Sequence, residues 1–256
     1  MSERPRFLTR LGVADAVTVG NAAVGTLAAV AAAVSPTLAA RLVLLAAIAD
    51  GLDGVLARRY GGTAVGPHLD SLADVASFGV APALVVAVAG TERWPWADAP
   101  LRFAATLAVA AAFVAMAVVR LGVYNVEDEG EKTTHGVQTT LAATVVAAAV
   151  LTHLGTPAVL VALGAVLAAG MVTPVRYPDL HAQDAVVMGA VQALAVLLTG
   201  RPGAVFAFAL LFLALGYTFL GPSFYWRDVD DADGDAEGAD RSGGGVAVEA
   251  EDGDAA

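Results

Sequence analysis

The chain has no cysteine, a single lysine (Lys132), few aromatics and little charge of either sign. Only 15% of its 256 residues are charged, where a soluble domain carries about a quarter. Absence of cysteine excludes disulfides and thiolate metal ligands. Scarcity of charge, beside 57% hydrophobic residues dominated by Ala, Val and Leu, points to an integral membrane protein and away from a soluble enzyme. The formal charge of −11 is concentrated at one end. From Arg227 onward there are eleven acidic and two basic residues, a charge of −9, which leaves −2 for residues 1–226. This Asp-, Gly- and Ala-rich segment cannot bury a core and is expected to be a disordered, solvating tail; a specific acidic docking segment is the alternative. The acidic, lysine-poor composition suggests a salt-adapted proteome.

What the chain does have is long apolar runs. A helix crossing about 30 Å of hydrocarbon needs about 20 residues. Eight runs qualify as candidates: 17–35, 38–58, 66–89, 101–123, 137–154, 157–174, 184–200 and 204–225. The fifth, sixth and seventh are short for full spans. The expected fold is therefore an all-α integral membrane protein of about eight transmembrane helices. Residues 1–16 form a basic N-terminus, with "RPRFLTRLG" (4–12) either an interfacial amphipathic helix or a frayed end. Residues 17–226 form the transmembrane domain, and 227–256 the tail. With the N-terminus inside, ten basic residues (Arg4, Arg6, Arg10, Arg58, Arg59, Arg120, Lys132, Arg176, Arg227, Arg241) fall on the cytoplasmic side. Four (Arg41, Arg93, Arg102, Arg201) fall outside, as the positive-inside rule requires. "TERWPWADAP" (91–100) reads as an external aromatic anchor.

Against this apolar background the stretch "DGLDGVLARRYGGTAVGPHLDSLAD" (50–74) carries four aspartates and two arginines. A charge at the bilayer centre costs at least about 2.5–3.5 kcal/mol. Asp50 and Asp53 are three apart at the end of the second run; Asp70 and Asp74 are four apart at the start of the third. Each pair shares a helix face, and the short connection makes the two helices antiparallel neighbours with the pairs at similar depth. Four such carboxylates repel unless cations lie between them, and Arg58 and Arg59 are too few to balance them. Hard divalent cations with oxygen ligands answer that need and serve phosphoryl chemistry. Gly54, Ala57 and Gly66 lie on the same faces and leave room for a phosphorylated group; Arg58 adds a fork suited to phosphate. Tight helix packing is the competing role for the small residues.

The spacing Asp50-x2-Asp53-Gly54-x2-Ala57-Arg58-x7-Gly66-x3-Asp70-x3-Asp74 resembles the signature of the CDP-alcohol phosphotransferase family, with every fixed position present. "LDSLADVASFGVAPA" (69–83), "TVGNAAVG" (18–25), "RLGVYNV" (120–126) and "MVTPVRYP" (171–178) are similar to its phosphatidylserine and archaetidylserine synthase branch. Val123 and Tyr124 depart from that branch's Arg-Phe pair, and "HGVQTT" (135–140) from its Gly-Leu-Pro segment. The resemblance implies a six-helix core and a site holding two divalent ions, Mg²⁺ or Mn²⁺, on Asp50, Asp53, Asp70 and Asp74. Asp74 would double as general base. Gly54, Ala57, Arg58, Gly66 and Asn21 would contact the nucleotide. A CDP-linked lipid would donate its phosphatidyl-type group to L-serine, releasing CMP at the cytoplasmic side of the plasma membrane. A salt-adapted archaeon would supply CDP-archaeol in place of CDP-diacylglycerol.

For the serine carboxylate, Arg120 and Arg176 are the candidates, each also readable as an interfacial arginine. Asn125 either caps a helix or touches the acceptor. His153 is expected to be a bystander; His135 is expected to be solvated in a cytoplasmic loop, with acceptor contact as the alternative. Family members often dimerise, so a homodimer is compatible with the resemblance; nucleic acid is not expected as a partner. Two rival readings remain: the same chemistry with glycerol phosphate or inositol phosphate as acceptor, and a transporter. The first calls for more basic residues near the site, the second for carboxylates recurring across several helices.

Overall fold

A computed structural model describes residues 11–127, 133–178 and 180–224. The basic stretch 1–10, Lys132 and the acidic tail lie outside the described residues. The elements are α1 (Val13–Ala32), α2 (Pro36–Tyr60), α3 (Gly66–Asp74), a π-helical turn (Val75–Val80), α4 (Ala81–Arg93), α5 (Pro100–Glu127), β1 (Thr133–His135), α6 (Thr139–Leu151), α7 (Pro157–Met171), β2 (Arg176–Pro178), α8 (Ala182–Leu197) and α9 (Gly200–Phe224). The α3, π and α4 segments run on as one rod, Gly66–Arg93. Eight rods therefore stand where eight apolar runs are expected.

By length and composition four of them can cross a membrane: α1, the Gly66–Arg93 rod, α5 and α9. α6, α7 and most of α8 are apolar but shorter. Together these make a multi-pass membrane protein. Large apolar side chains such as Leu107, Val118, Phe208, Phe212 and Phe219 face outward, as they do when lipid is the solvent. α6 is the centre of the bundle. It is apolar all round, and every residue but Thr140 is buried, the pattern of a helix enclosed on all sides.

Helix ends follow local chemistry. Asp15, in the first turn of α1, accepts the Gly12 N–H at 2.7 Å, which starts α1 at Val13, earlier than its apolar run. Ser35 caps α2 by accepting from the Leu38 N–H at 3.3 Å. α2 ends at Tyr60, and the Gly61 that caps it has a φ of +88° that suits glycine. From there Gly62–Val65 turns the chain back into α3. Pro82 has no N–H to return to the carbonyl of residue 78, and its ring crowds that turn. The wider π turn over Val75–Val80 absorbs the defect, and such turns concentrate at functional sites. The chain is not wholly helical: β1 and β2 pair antiparallel, with His135 opposite Arg176.

Candidate active site

The π turn begins directly after Asp74, and α2 and α3 both pack against α1. Asp50, Asp70 and Asp74 come together, each offering an oxygen within 4.8 Å of the others. Asp74 is buried, and its Oδ1 has no hydrogen-bond partner. Two unit charges 4 Å apart repel by about 4 kcal/mol at an effective dielectric constant of 20. One guanidinium, Arg120, lines the cavity that holds all three. A set of oxygen-only ligands, one buried and two half-buried, with an orphaned carboxylate oxygen on the buried one, fits a hard divalent cation.

Asp53 stands apart from this trio. Its Oδ2 accepts the Thr18 hydroxyl of α1 at 2.6 Å, and it lines a second cavity of about 320 Å³. Gly54, Ala57 and Gly66 line that cavity too, together with Asp15, Thr18, Thr63 and Asp70. Gly66 is also a close-packing position, since a methyl group there would lie 3.2 Å from Asp15 Oδ1, whereas Gly54 is open. A methyl group on Gly54 would meet only the Arg58 guanidinium, 3.6 Å away. Arg58, expected at the nucleotide, is exposed and lines neither cavity, although its Nη1 lies beside Gly54, which does.

The trio's own cavity is about 180 Å³ and lined mostly by polar groups, among them Arg120, Asn125, Thr134 and Gln138. Arg120 is buried, donates to Thr134 Oγ1 at 3.2 Å and lies 5.5 Å from the Tyr124 ring centre. Asn125 donates to Ser71 Oγ at 2.8 Å. Because α5 continues to Glu127, Asn125 is no helix cap. Asp70, Tyr124 and Asn125 line both cavities, so the two chambers meet there.

Two more expected site residues lie elsewhere. Asn21 lines neither cavity. It is wholly buried between α1 and the π turn, where its carbonyl accepts from Ser77 Oγ at 3.0 Å and its amide atoms have no partner. One helical turn separates it from Thr18, the α1 residue that does face the aspartates. Arg176 is exposed on β2 and donates through Nε to His135 Nε2 at 3.3 Å; it lines neither cavity. Conversely, Asp15 and Thr18 were not singled out in the sequence. Asp15 Oδ2 accepts from Thr63 Oγ1 at 2.7 Å and clasps the α2–α3 turn to α1. The available signal was an acid and a threonine three apart at the start of an otherwise apolar run.

The family described as CDP-alcohol phosphatidyltransferase matches residues 11–175. A CDP-diacylglycerol–serine O-phosphatidyltransferase of Mycobacterium bovis is 38% identical over 99 residues, 37% of this chain and 31% of that protein. The archaetidylserine synthase of Methanothermobacter thermautotrophicus is 30% identical over 151 residues, 56% of this chain and 59% of that protein. The chain thus spans about a third of the mycobacterial relative and under two thirds of the archaeal one. The matched family region takes in both cavities and all four aspartates, and the chain belongs to the CDP-alcohol phosphatidyltransferase family.

Proposed function

We propose that the protein transfers a phosphatidyl-type group from a CDP-linked lipid to L-serine, releasing CMP. The observation that carries serine is the composition of the smaller chamber: three carboxylates and one guanidinium, Arg120. A phosphorylated acceptor would bring a second phosphate into a chamber with one cation. A small zwitterion suits it better, its carboxylate beside Arg120 and its hydroxyl beside Asp74. The names of the mycobacterial and archaeal relatives support the same acceptor.

In this reading the larger chamber takes the cytidine diphosphate end of the donor, with Gly54, Ala57 and Gly66 leaving room and Arg58 beside Gly54. Asp50, Asp70 and Asp74, with Asp53 on the far side of Asp70, would hold divalent cations, Mg²⁺ or Mn²⁺. Bound there, these would neutralise the pyrophosphate and the leaving CMP. Asp74 takes the proton of the serine hydroxyl. The freed oxygen bonds to the phosphorus that carries the lipid, and the bond from that phosphorus to the bridging oxygen breaks. CMP leaves with that oxygen. Asn125 and Tyr124, lining both chambers, hold acceptor and donor to a common boundary.

The aspartates then face the cytoplasm, a placement supported by the ten-to-four distribution of basic residues. The salt-adapted composition and the archaeal relative favour archaeol as the lipid. The test is CMP release by purified protein with CDP-archaeol or CDP-diacylglycerol and Mn²⁺ or Mg²⁺, comparing L-serine with glycerol 3-phosphate and inositol phosphate. Release that needs serine and is lost in Asp74→Asn is expected. Release with a phosphorylated acceptor would overturn the serine assignment and keep the chemistry.

A further inference from the structure

We propose that a third cavity, on the membrane face opposite the aspartates, binds the phosphate group of a membrane lipid. It has a volume of about 260 Å³ and is lined by Thr37, Arg41, His153, Arg201 and the first turn of α9, among others. Arg41 lies nine residues before Asp50, about 14 Å along α2, so this cavity shares nothing with either chamber of the active site.

Its chemistry is that of an anion site. Two guanidiniums line it, and none of its lining residues is acidic. Neither Arg41 nor Arg201 has a carboxylate partner among the described residues. The start of α9 adds backbone N–H groups that no helical carbonyl can satisfy, with the positive end of the helix dipole. Arg41 is also held in place. Its Nη2 donates to the Leu198 carbonyl at 3.0 Å, while its Nε is buried without a partner. Gly203 permits that arrangement, because a methyl group there would collide with the same carbonyl. Two positive groups brought to an apolar surface without counter-charge are costly, and a lipid phosphate at the interface relieves the cost through charge-assisted bonds to planar forks. The cavity's place at the end of α2 and α9 puts it at headgroup depth.

The test uses the full chain in neutral detergent, with thermal unfolding followed against dihexanoyl phosphatidylglycerol, inorganic phosphate and dihexanoylglycerol. Arg201→Gln is the main variant, since Arg201 is exposed and makes no hydrogen bond among the described residues. Arg41→Gln is the second, with loss of the Leu198 bond as its added effect. Phosphatidylglycerol should raise the melting temperature of the native chain in a saturable way and dihexanoylglycerol should not. Arg201→Gln should need at least about tenfold more phosphatidylglycerol, the loss expected for one charged hydrogen-bonding contact. Any lipid bound at the aspartates contributes equally to both proteins and cancels. An equal response to inorganic phosphate, also weakened in Arg201→Gln, would keep the anion site and assign it free phosphate. Identical responses of the native chain and Arg201→Gln, or equal stabilisation by dihexanoylglycerol, would overturn the proposal.

Discussion

Thr18 donates its hydroxyl to Asp53 across 2.6 Å, and this bond between α1 and α2 separates one aspartate from the other three. The trio is left to face the smaller chamber, while Asp53 is aimed into the larger one. Thr18→Val removes the donor and leaves Asp53 buried without it. A hydrogen bond to a charged group contributes about 1.5–3 kcal/mol, so CMP release per unit of CDP-lipid should fall about tenfold or more. Thr18→Ser should retain most of the rate. Equal kcat/KM for the donor in native and Thr18→Val protein would show that Asp53 needs no such orientation.

Asp74→Asn keeps the size of the side chain and removes its ability to take a proton. General base catalysis is worth about 10²–10⁴ in rate. CMP release should drop within or beyond that range while the melting temperature stays near or above that of the native chain, because one buried repulsive charge is gone. Activity within tenfold of native would move the base elsewhere.

Chelation of divalent cations should abolish turnover, and Mn²⁺ or Mg²⁺ should restore it. The same ions should stabilise the fold, since ligands bound only to the native state add about 2.7 kcal/mol at a hundred times their dissociation constant. The check is a melting curve against metal concentration for the native chain and for Asp70→Asn. The substituted protein should show a weaker, right-shifted response.

The two arginines proposed for the acceptor should behave differently. Arg120 lines the chamber beside the three carboxylates, and Arg176 pairs with His135 outside it. Arg120→Gln should raise the KM for serine about tenfold or more. Arg176→Gln should change it less than about twofold. The reverse pattern would place the serine carboxylate against the β1–β2 ribbon.

The first-helix segment around Asn21 shows where reading the chain stops. Its polarity in an apolar run marks it as unusual, and its neighbours Thr18 and Asp15 carry the same mark. Only rotation about the α1 axis decides which of them meets α2, and that rotation is set by packing. Gly25 must lie against Ser77, with no space for a side chain, and this close approach turns Thr18 toward Asp53 and Asn21 into the core. The π turn has a clearer trace, since Pro82 within a continuous helix must disturb the carbonyl four residues earlier. The β1–β2 ribbon has none: three-residue strands lie below the length at which alternation can be read.

By itself the sequence determined the eight rods, through the lengths of its apolar runs. It also determined the spacing of the four aspartates with their glycines, through helical periodicity and a signature too long to arise by chance. Those are local properties, fixed by 3.6 residues per turn and by the cost of charge in hydrocarbon. Only the tertiary structure decided that three aspartates stand together and one apart, that Arg120 lines a chamber and Arg176 does not, and that Arg41 and Arg201 share a cavity at the far end of the bundle. Each depends on residues dozens of positions apart meeting across helix interfaces, and their relative rotation is set by the whole packed bundle.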